Sequence, residues 1–229
     1  MTELGQPLER RTFEARSLYA ARPPLLRDPN KRVVLEVACP PGSSHGGRIV
    51  TSRWAAMPLP GTLAVESAIE RVVRHDGFYD YRPVLTAAGA VEWHVNFADA
   101  NLFFGYGNSL FAQDEIQVAE HPALGALREA ILANGLIPST EENGQPTPVL
   151  VTGVERRCRI DTDVNPEEGR PRGLYGNVFG SASIEAVRRA TSPIDPPTMS
   201  NILAMAAPGY GSGRYDRGTI ERVLTTAYT

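Results

Sequence analysis

The sequence predicts a single α/β domain in which a mixed sheet is flanked by helices. Short apolar segments alternate along the 229 residues with segments of helical periodicity. The apolar segments carry bulky residues at consecutive positions, which is typical of strands buried on both faces of a sheet. Neither an internal repeat nor a shift in composition marks a linker, so residues 1–229 are expected to form one domain.

The first 60 residues are predicted to form an N-terminal extension and the first strands. A short polar helix is expected over about 8–21, and the prolines between residues 23 and 29 indicate an extended arm after it. The apolar, β-branched segment Arg32–Cys39 predicts one strand, and Arg48–Trp54 predicts a second.

Residues 61–229 are predicted to form the core that carries the ligand site. Segment Gly61–His75 has apolar residues at helical spacing, and Ala90–Ala98 has bulky residues on both faces, as a central strand would have. The remaining predicted elements are a helix from about Gln113, a helix at His121–Asn134, a polar loop at 138–147, a strand at Thr147–Val154, a helix at Ser183–Arg189, a strand at Asn201–Ala207 and a helix at Arg217–Tyr228.

Ligands of such sheets bind beyond the carboxyl ends of the strands, often at helix N-termini. The loops after Ala98, Val154 and Ala207 are therefore the segments expected to hold a ligand.

The composition argues against several classes of function. A formal net charge of −3 disfavours a nucleic-acid binder held by phosphate contacts. No apolar run approaches the ~20 residues that span a bilayer, and the first residues do not resemble a signal peptide, so a cytoplasmic protein without a membrane partner is expected. Cys39 and Cys158 are expected to be reduced thiols, and the spacing of the histidines predicts neither a metal site nor a cofactor.

The stretch from Asn96 to Ile116 carries the most distinctive chemistry. It runs from a strand through a loop rich in glycine and aromatic residues to a helix start with two adjacent carboxylates, Asp114 and Glu115. From the residues alone, the pair could simply offset the helix dipole, a contribution of about 0.3–1 kcal/mol. Burial and mutual repulsion would instead raise one carboxyl pKa, although the helix N-terminus acts in the opposite direction, so the net shift stays open.

This stretch resembles the signature of the poly(ADP-ribose) glycohydrolase family, a branch of the macrodomain fold. The family has a strand ending in V-D-F-A-N, three more residues, three glycines, seven spacer residues and then Q-E-E-I. Here Val95–Asp99 takes the strand position, Phe103–Gly105 stands in place of the glycines, and Gln113–Ile116 follows after seven residues. Further similar segments, in the family's order, are His121–Leu124, Pro148–Arg157 and Ile220–Thr229. The resemblance implies a macrodomain-like mixed sheet with an ADP-ribose pocket.

The resemblance also implies a role for each matching residue. Glu115 would be the acid–base catalyst, and Asp114 would orient it or bind a ribose hydroxyl. Gln113 would support the loop. The other ligand-binding positions that it implies are Asp80 at the adenine, Asn96 and Asp99 at the strand end, Phe104 (or Phe111) as a stacking aromatic, and Gly105, Tyr106 and Gly107 at the diphosphate.

The chain departs from the family pattern within the same stretch. Phe103 and Phe104 replace glycines whose backbone approaches the ligand closely, so a narrowed or reshaped pocket is expected. Asp99 replaces an asparagine, and Asp114 is one methylene shorter than the family's glutamate. The crowding expected from the phenylalanines favours single ADP-ribose units over the polymer as substrate.

The expected function is hydrolysis of ADP-ribose from modified proteins, which makes ADP-ribose and ADP-ribosylated proteins the expected partners. Two alternatives stay open: a module that binds ADP-ribose or a related nucleotide without turnover, and an interaction protein that has lost the ligand. The family continues past the last matching segment with a strand and a second glycine-rich loop. The sequence stops before them, so either a C-terminal segment is missing or Gly209–Arg214 does part of that work.

Overall fold

The computed structural model describes residues 5–58, 81, 91–208 and 215–228. Its strands are β1 (Glu9–Glu14), β2 (Arg48–Arg53), β3 (His94–Ala98), β4 (Glu141–Glu142), β5 (Gln145–Pro146), β6 (Val149–Ile160) and β7 (Thr191–Ala206). Its helices are α1 (Ala15–Ala21), α2 (Pro29–Ala38), α3 (Gln113–Glu120), α4 (Pro122–Ala133), α5 (Ile184–Ala190) and α6 (Arg217–Tyr228), with 3-10 turns at Pro166–Glu168 and Gly176–Ser181. The predicted helix Gly61–His75 lies outside the described residues.

Five strands form a mixed sheet in the order β1-β2-β6-β7-β3. Neighbouring strands are antiparallel except for β3, which runs parallel to β7. Strands β4 and β5 form a separate hairpin within the predicted polar loop. The predicted class, a mixed α/β sheet flanked by helices, is thereby confirmed.

Strand β1 replaces the first half of the helix expected over about 8–21, and only Ala15–Ala21 is helical. Glu9–Glu14 pairs in antiparallel register with Arg48–Arg53, and burial alternates along it. A strand at the end of the sheet tolerates this polar sequence because every second side chain faces solvent. Strand pairing here overrides the local helical pattern.

The predicted strand Arg32–Cys39 is wrong, because this segment belongs to helix α2. The Asp28 carboxylate caps the helix by accepting hydrogen bonds from the N–H groups of Asn30 (2.9 Å) and Lys31 (3.2 Å). Pro29 occupies the first turn, where a missing N–H costs no helical hydrogen bond. The two adjacent valines favour a strand locally, but the cap and the burial of one helical face outweigh that preference.

Strands β6 and β7 are much longer than the predicted segments Thr147–Val154 and Asn201–Ala207. They continue to pair as far as Ile160 opposite Thr191. These extensions are polar and partly exposed, so they lack the apolar pattern from which strands are predicted. The loop expected after Val154 is therefore strand.

Strand β3 begins at His94 rather than Ala90 and is the last strand of the described sheet, so the prediction of a central strand is wrong for the part of the sheet that is described. Asn96 and Ala98 are buried, whereas Phe97 is 43% exposed. The helical predictions from residue 113 onward are confirmed as α3 to α6, each beginning within one residue of its predicted start. His121 leaves helical space (φ −123°, ψ 73°) before Pro122, as expected.

Two apolar clusters form the core. One joins α1 and α4 to β6 and β7, and the other joins α2 and α5 to the end of β6 and to Phe111 and Phe179. Among the described helices, none is both long enough and apolar enough to cross a membrane.

Candidate functional site

Two of the three loops expected to hold a ligand meet at one end of the sheet. Ala98 at the end of β3 is in register with Ala206 of the parallel strand β7, and the Ala207 N–H donates to the Ala98 carbonyl at 2.9 Å. The carboxyl ends of two parallel strands therefore open on the same side, next to the start of α3.

An open cleft of about 520 Å³ lies at this end of the sheet. Its lining includes Ala112, Gln113 and Asp114 at the start of α3 and Ile220, Val223 and Leu224 of α6. Tyr175 and Tyr215, both about half exposed, also line it. The cleft is thus mostly apolar and aromatic with few polar groups, which is the usual composition of a small-molecule site.

Side-chain amides join the start of α3 to strand β3. Gln113 donates through Nε2 to the Val95 carbonyl (2.9 Å) and accepts through Oε1 from the Phe97 N–H (3.0 Å). The buried Asn96 donates to the Asp114 carbonyl at 3.4 Å. Gln113 and Asn96 therefore position the acidic pair relative to the strand.

The two carboxylates of the acidic pair have different surroundings. Glu115 is 3% exposed, and its Oε2 accepts a hydrogen bond from the Ala112 N–H at 2.9 Å. Its Oε1 lies against Gly105, where an added Cβ would come within 2.0 Å of it. Asp114 accepts from the Glu115 N–H at 2.9 Å and lines the cleft. Of these two residues, Asp114 therefore lines the cleft and Glu115 does not.

The pKa values of the groups around this pair are shifted. Burial, followed by the hydrogen bond and charge of Glu115, raises the pKa of Asp114 to about 8. Burial lowers the pKa of Lys31 to about 8, although the charges of Glu115 and Asp114 act in the opposite direction. Lys31 is 2% exposed, and its Nζ donates to the carbonyls of Gly105 (3.2 Å) and Tyr106 (2.9 Å). A buried cation thus lies behind the two carboxylates.

The turn Gly105–Gly107 is covered by the chain's own N-terminal arm and does not line the cleft. The Gly107 carbonyl accepts from the N–H groups of Arg27 (2.8 Å) and Asp28 (3.1 Å). The Tyr106 hydroxyl donates to Glu129 at 2.6 Å and accepts from the Leu25 N–H at 2.7 Å. The carbonyls of this turn are directed at the arm and at Lys31, so the turn expected at a diphosphate is packed inside the protein.

The aromatic residues of the loop do not narrow the cleft either. Phe103 is 1% exposed in the core and adopts φ +55°, in the left-handed region that favours glycine. Phe104 is 60% exposed, and its ring centroid lies 5.8 Å from the Arg128 guanidinium carbon. Phe111 is buried and stacks on Phe179, with ring centroids 3.9 Å apart. The crowding that favoured single ADP-ribose units is therefore not found.

The other expected ligand-binding residues lie at the margin of this site or outside the description. Asp99 directly follows β3 and accepts from the Asn101 N–H at 2.8 Å, which forms a local turn. Asp80 lies outside the described residues. Sequence reasoning missed Lys31, although it is the single lysine among 23 basic residues. It also missed the lining provided by Tyr175 and α6, for which the sequence carries no signal.

Within residues 5–58, 81, 91–208 and 215–228, no group of three or more His, Cys, Asp or Glu side chains is arranged to hold a metal ion. No model of a known protein family matches the chain, and no curated protein sequence matches it.

Proposed function

We propose that the cleft binds ADP-ribose and that the chain hydrolyses ADP-ribose from modified proteins. The observation that carries this proposal is the Asp114 carboxyl, which lines the cleft and has a pKa raised to about 8 beside the buried Glu115. A carboxyl group that keeps its proton at neutral pH can protonate a leaving oxygen, which hydrolysis of a glycosidic bond requires.

In this mechanism Asp114 donates its proton to the oxygen that leaves the ribose anomeric carbon. The resulting carboxylate then accepts a proton from the attacking water, which restores the starting state. Glu115, held by the Ala112 N–H and pressed against Gly105, keeps the proton on Asp114 between turnovers. The family resemblance assigns the proton transfer to Glu115 instead. Each carboxylate is therefore tested by its own substitution.

The lining of the cleft suits a ligand with a flat aromatic part. Tyr175 and Tyr215 contribute aromatic rings to the lining, and Ile220, Val223 and Leu224 of α6 contribute apolar side chains. A volume of about 520 Å³ falls within the usual range of roughly 300–1,000 Å³ for small-molecule sites.

The experiment measures release of free ADP-ribose from a protein that carries mono-ADP-ribose on acidic residues. Wild type, Asp114→Asn and Glu115→Gln are compared, with Glu129→Gln as a carboxylate control away from the cleft. We expect release by wild type and the control, and a loss of roughly a hundredfold or more in Asp114→Asn. A large loss of ADP-ribose release in Glu115→Gln, without a loss in Asp114→Asn, would assign the proton transfer to Glu115. No release by wild type would reject hydrolysis of this linkage.

A second candidate function is a module that binds the nucleotide without turnover. Two observations favour it: Glu115 is buried and does not line the cleft, and none of the described residues that line the cleft is basic. Calorimetry with ADP-ribose distinguishes the two functions. Binding that is unchanged in Asp114→Asn, together with absent turnover in wild type, would establish the binding module.

A further inference from the structure

A second cluster of reactive side chains lies where the C-terminal end of α2 meets β6. Cys39 follows the last residue of α2, and its Sγ is 3.7 Å from Nε2 of His45. On the other side of the imidazole ring, Nδ1 of His45 is 3.2 Å from Oε2 of Glu155. A thiol, an imidazole and a carboxylate are thus arranged in series, as in sites where a base activates a nucleophile.

The imidazole is held in one orientation. His45 is 3% exposed, and its ring packs on Tyr19 with centroids 4.2 Å apart. Glu155 is fixed in turn by the Gly46 N–H (2.9 Å) and by Arg157 (2.5 Å). Burial, and then the charge of Arg157, lowers the pKa of His45 to about 4, so the ring is a neutral base at physiological pH. In the tautomer that carries the proton on Nδ1, beside Glu155, the lone pair of Nε2 faces the thiol.

Burial and the neighbouring groups act on the pKa of Cys39 in opposite directions, and the net effect is a raised pKa. Burial raises the pKa of Cys39, whereas hydrogen bonding from Tyr19 and the charge of Arg157 lower it. The resting thiol therefore keeps its proton, and reaction requires a base next to it. Cys39 is partly exposed, whereas Cys158 is fully buried with a pKa raised well above the usual range of a thiol.

The same geometry argues against a metal site. The two ring nitrogens of His45 point in opposite directions, one at Cys39 and the other at Glu155. The orientation of the imidazole ring therefore excludes a single metal ion in contact with all three side chains. Cys39 is partly exposed, which suits a small co-reactant that arrives from solution.

We propose that Cys39, His45 and Glu155 form a peroxide-reactive thiol site in which Cys39 is oxidised to a sulfenic acid. His45 takes the thiol proton on Nε2, and the sulfur attacks one oxygen of hydrogen peroxide. The S–O bond forms as the O–O bond breaks, and the leaving hydroxide takes the proton back from His45 to give water. Sulfur loses two electrons, peroxide gains two, and His45 returns to its neutral form. Glu155 stabilises the transient imidazolium.

The test treats the intact protein with hydrogen peroxide, traps sulfenic acid with dimedone and measures labelling at each cysteine by mass spectrometry. We expect Cys39 to be labelled and Cys158 to remain unlabelled. His45→Asn retains a side-chain N–H for Glu155 but removes the base, so labelling of Cys39 should slow by roughly tenfold or more. Equal rates in wild type and His45→Asn would overturn the proposal. Thermal unfolding of both proteins checks that the variant is folded.

The pH profile of wild type supplies a readout that needs no variant. The titratable and charged groups facing the thiol and the imidazole are Tyr19, Glu155 and Arg157. With neutral His45 as the base, the rate at Cys39 should change little between pH 6.5 and 8.5. A rate that climbs close to tenfold per pH unit over this range would mean that a free thiolate reacts without the base, and would reject the mechanism.

Discussion

At the scale of single residues, Gly105 and Glu115 fit each other at the centre of the candidate site. The resemblance to glycohydrolases implies a glycine here so that the backbone can approach a ligand. In the structure the neighbour of Gly105 is the Glu115 carboxylate, which occupies the space of a side chain. The glycine expected from the sequence is therefore required for a different physical reason, the close packing of a buried carboxylate.

Gly105→Ala should displace that carboxylate. The new Cβ would lie 2.0 Å from Oε1 and 3.0 Å from Cδ of Glu115, so the side chain must rotate and give up the N–H of Ala112. Loss of this buried hydrogen bond predicts a decrease in the free energy of unfolding of about 1–3 kcal/mol. Urea unfolding measures it.

Gly5→Ala is the matched control, because a Cβ there meets no atom within 4 Å. Its unfolding free energy should change by less than about 0.5 kcal/mol. Equal stabilities of the two variants would mean that Glu115 has room to move and is not packed against the glycine.

At the scale of elements, the helix that carries the acidic pair was predictable and the helix that supports it was not. Helix α3 begins at Gln113 as the sequence indicates, since the acidic first turn and the preceding loop mark its start. Helix α2 has an equally clear start in Asp28 and Pro29, but its two adjacent valines favour a strand. The N-terminal cap determines that this segment is helical, and the two adjacent β-branched residues do not outweigh the cap.

The cap of α2 can be tested directly. Asp28→Ala removes the acceptor for the N–H groups of Asn30 and Lys31 and should lower the free energy of unfolding by about 1 kcal/mol. The same change should loosen Lys31 beneath the turn at Gly105, which hydrogen exchange of the turn amides would report.

Asp28→Asn is the paired variant, because the amide oxygen keeps the capping geometry without the charge. It should retain most of the stability lost in Asp28→Ala. If both variants lose stability equally, the charge of Asp28 near Lys31 matters, and the cap hydrogen bonds do not.

At the scale of the whole molecule, the candidate site combines segments that are far apart in sequence. The order β1-β2-β6-β7-β3 places β3 beside β7 and opens the cleft toward α6, near the end of the chain. The sequence predicts the residues at the start of α3, because their local pattern is specific. The sequence does not predict that Lys31 packs near these residues or that Tyr175 lines the same cleft. Both features depend on contacts between segments that are far apart in the sequence.

Buried ionisable groups also determine how stability changes with pH. Burial lowers the pKa of His121 to about 3 and that of His45 to about 4, so both stay neutral in the folded protein as the pH falls below 6.5. The unfolded chain binds these protons, and the folded state therefore loses stability toward acid. Asp114 acts oppositely: its raised pKa means that the folded state holds the extra proton, and stability falls as the pH rises from about 4 to about 8. The two histidines and Asp114 therefore change stability in opposite directions as the pH falls.

The contribution of His121 can be isolated by comparing wild type with His121→Gln at two pH values. His121 is fully buried, with Nδ1 2.8 Å from the Gln117 carbonyl and Nε2 3.0 Å from the Ser200 hydroxyl, so the variant will be less stable at every pH. The diagnostic quantity is the change in unfolding free energy between pH 7 and pH 5. A histidine that titrates only in the unfolded chain contributes a loss of about 2 kcal/mol over this interval, which glutamine lacks. Urea unfolding should therefore show that the variant loses about 2 kcal/mol less unfolding free energy than wild type between pH 7 and pH 5. Identical losses in the two proteins would mean that His121 also gains its proton in the folded state.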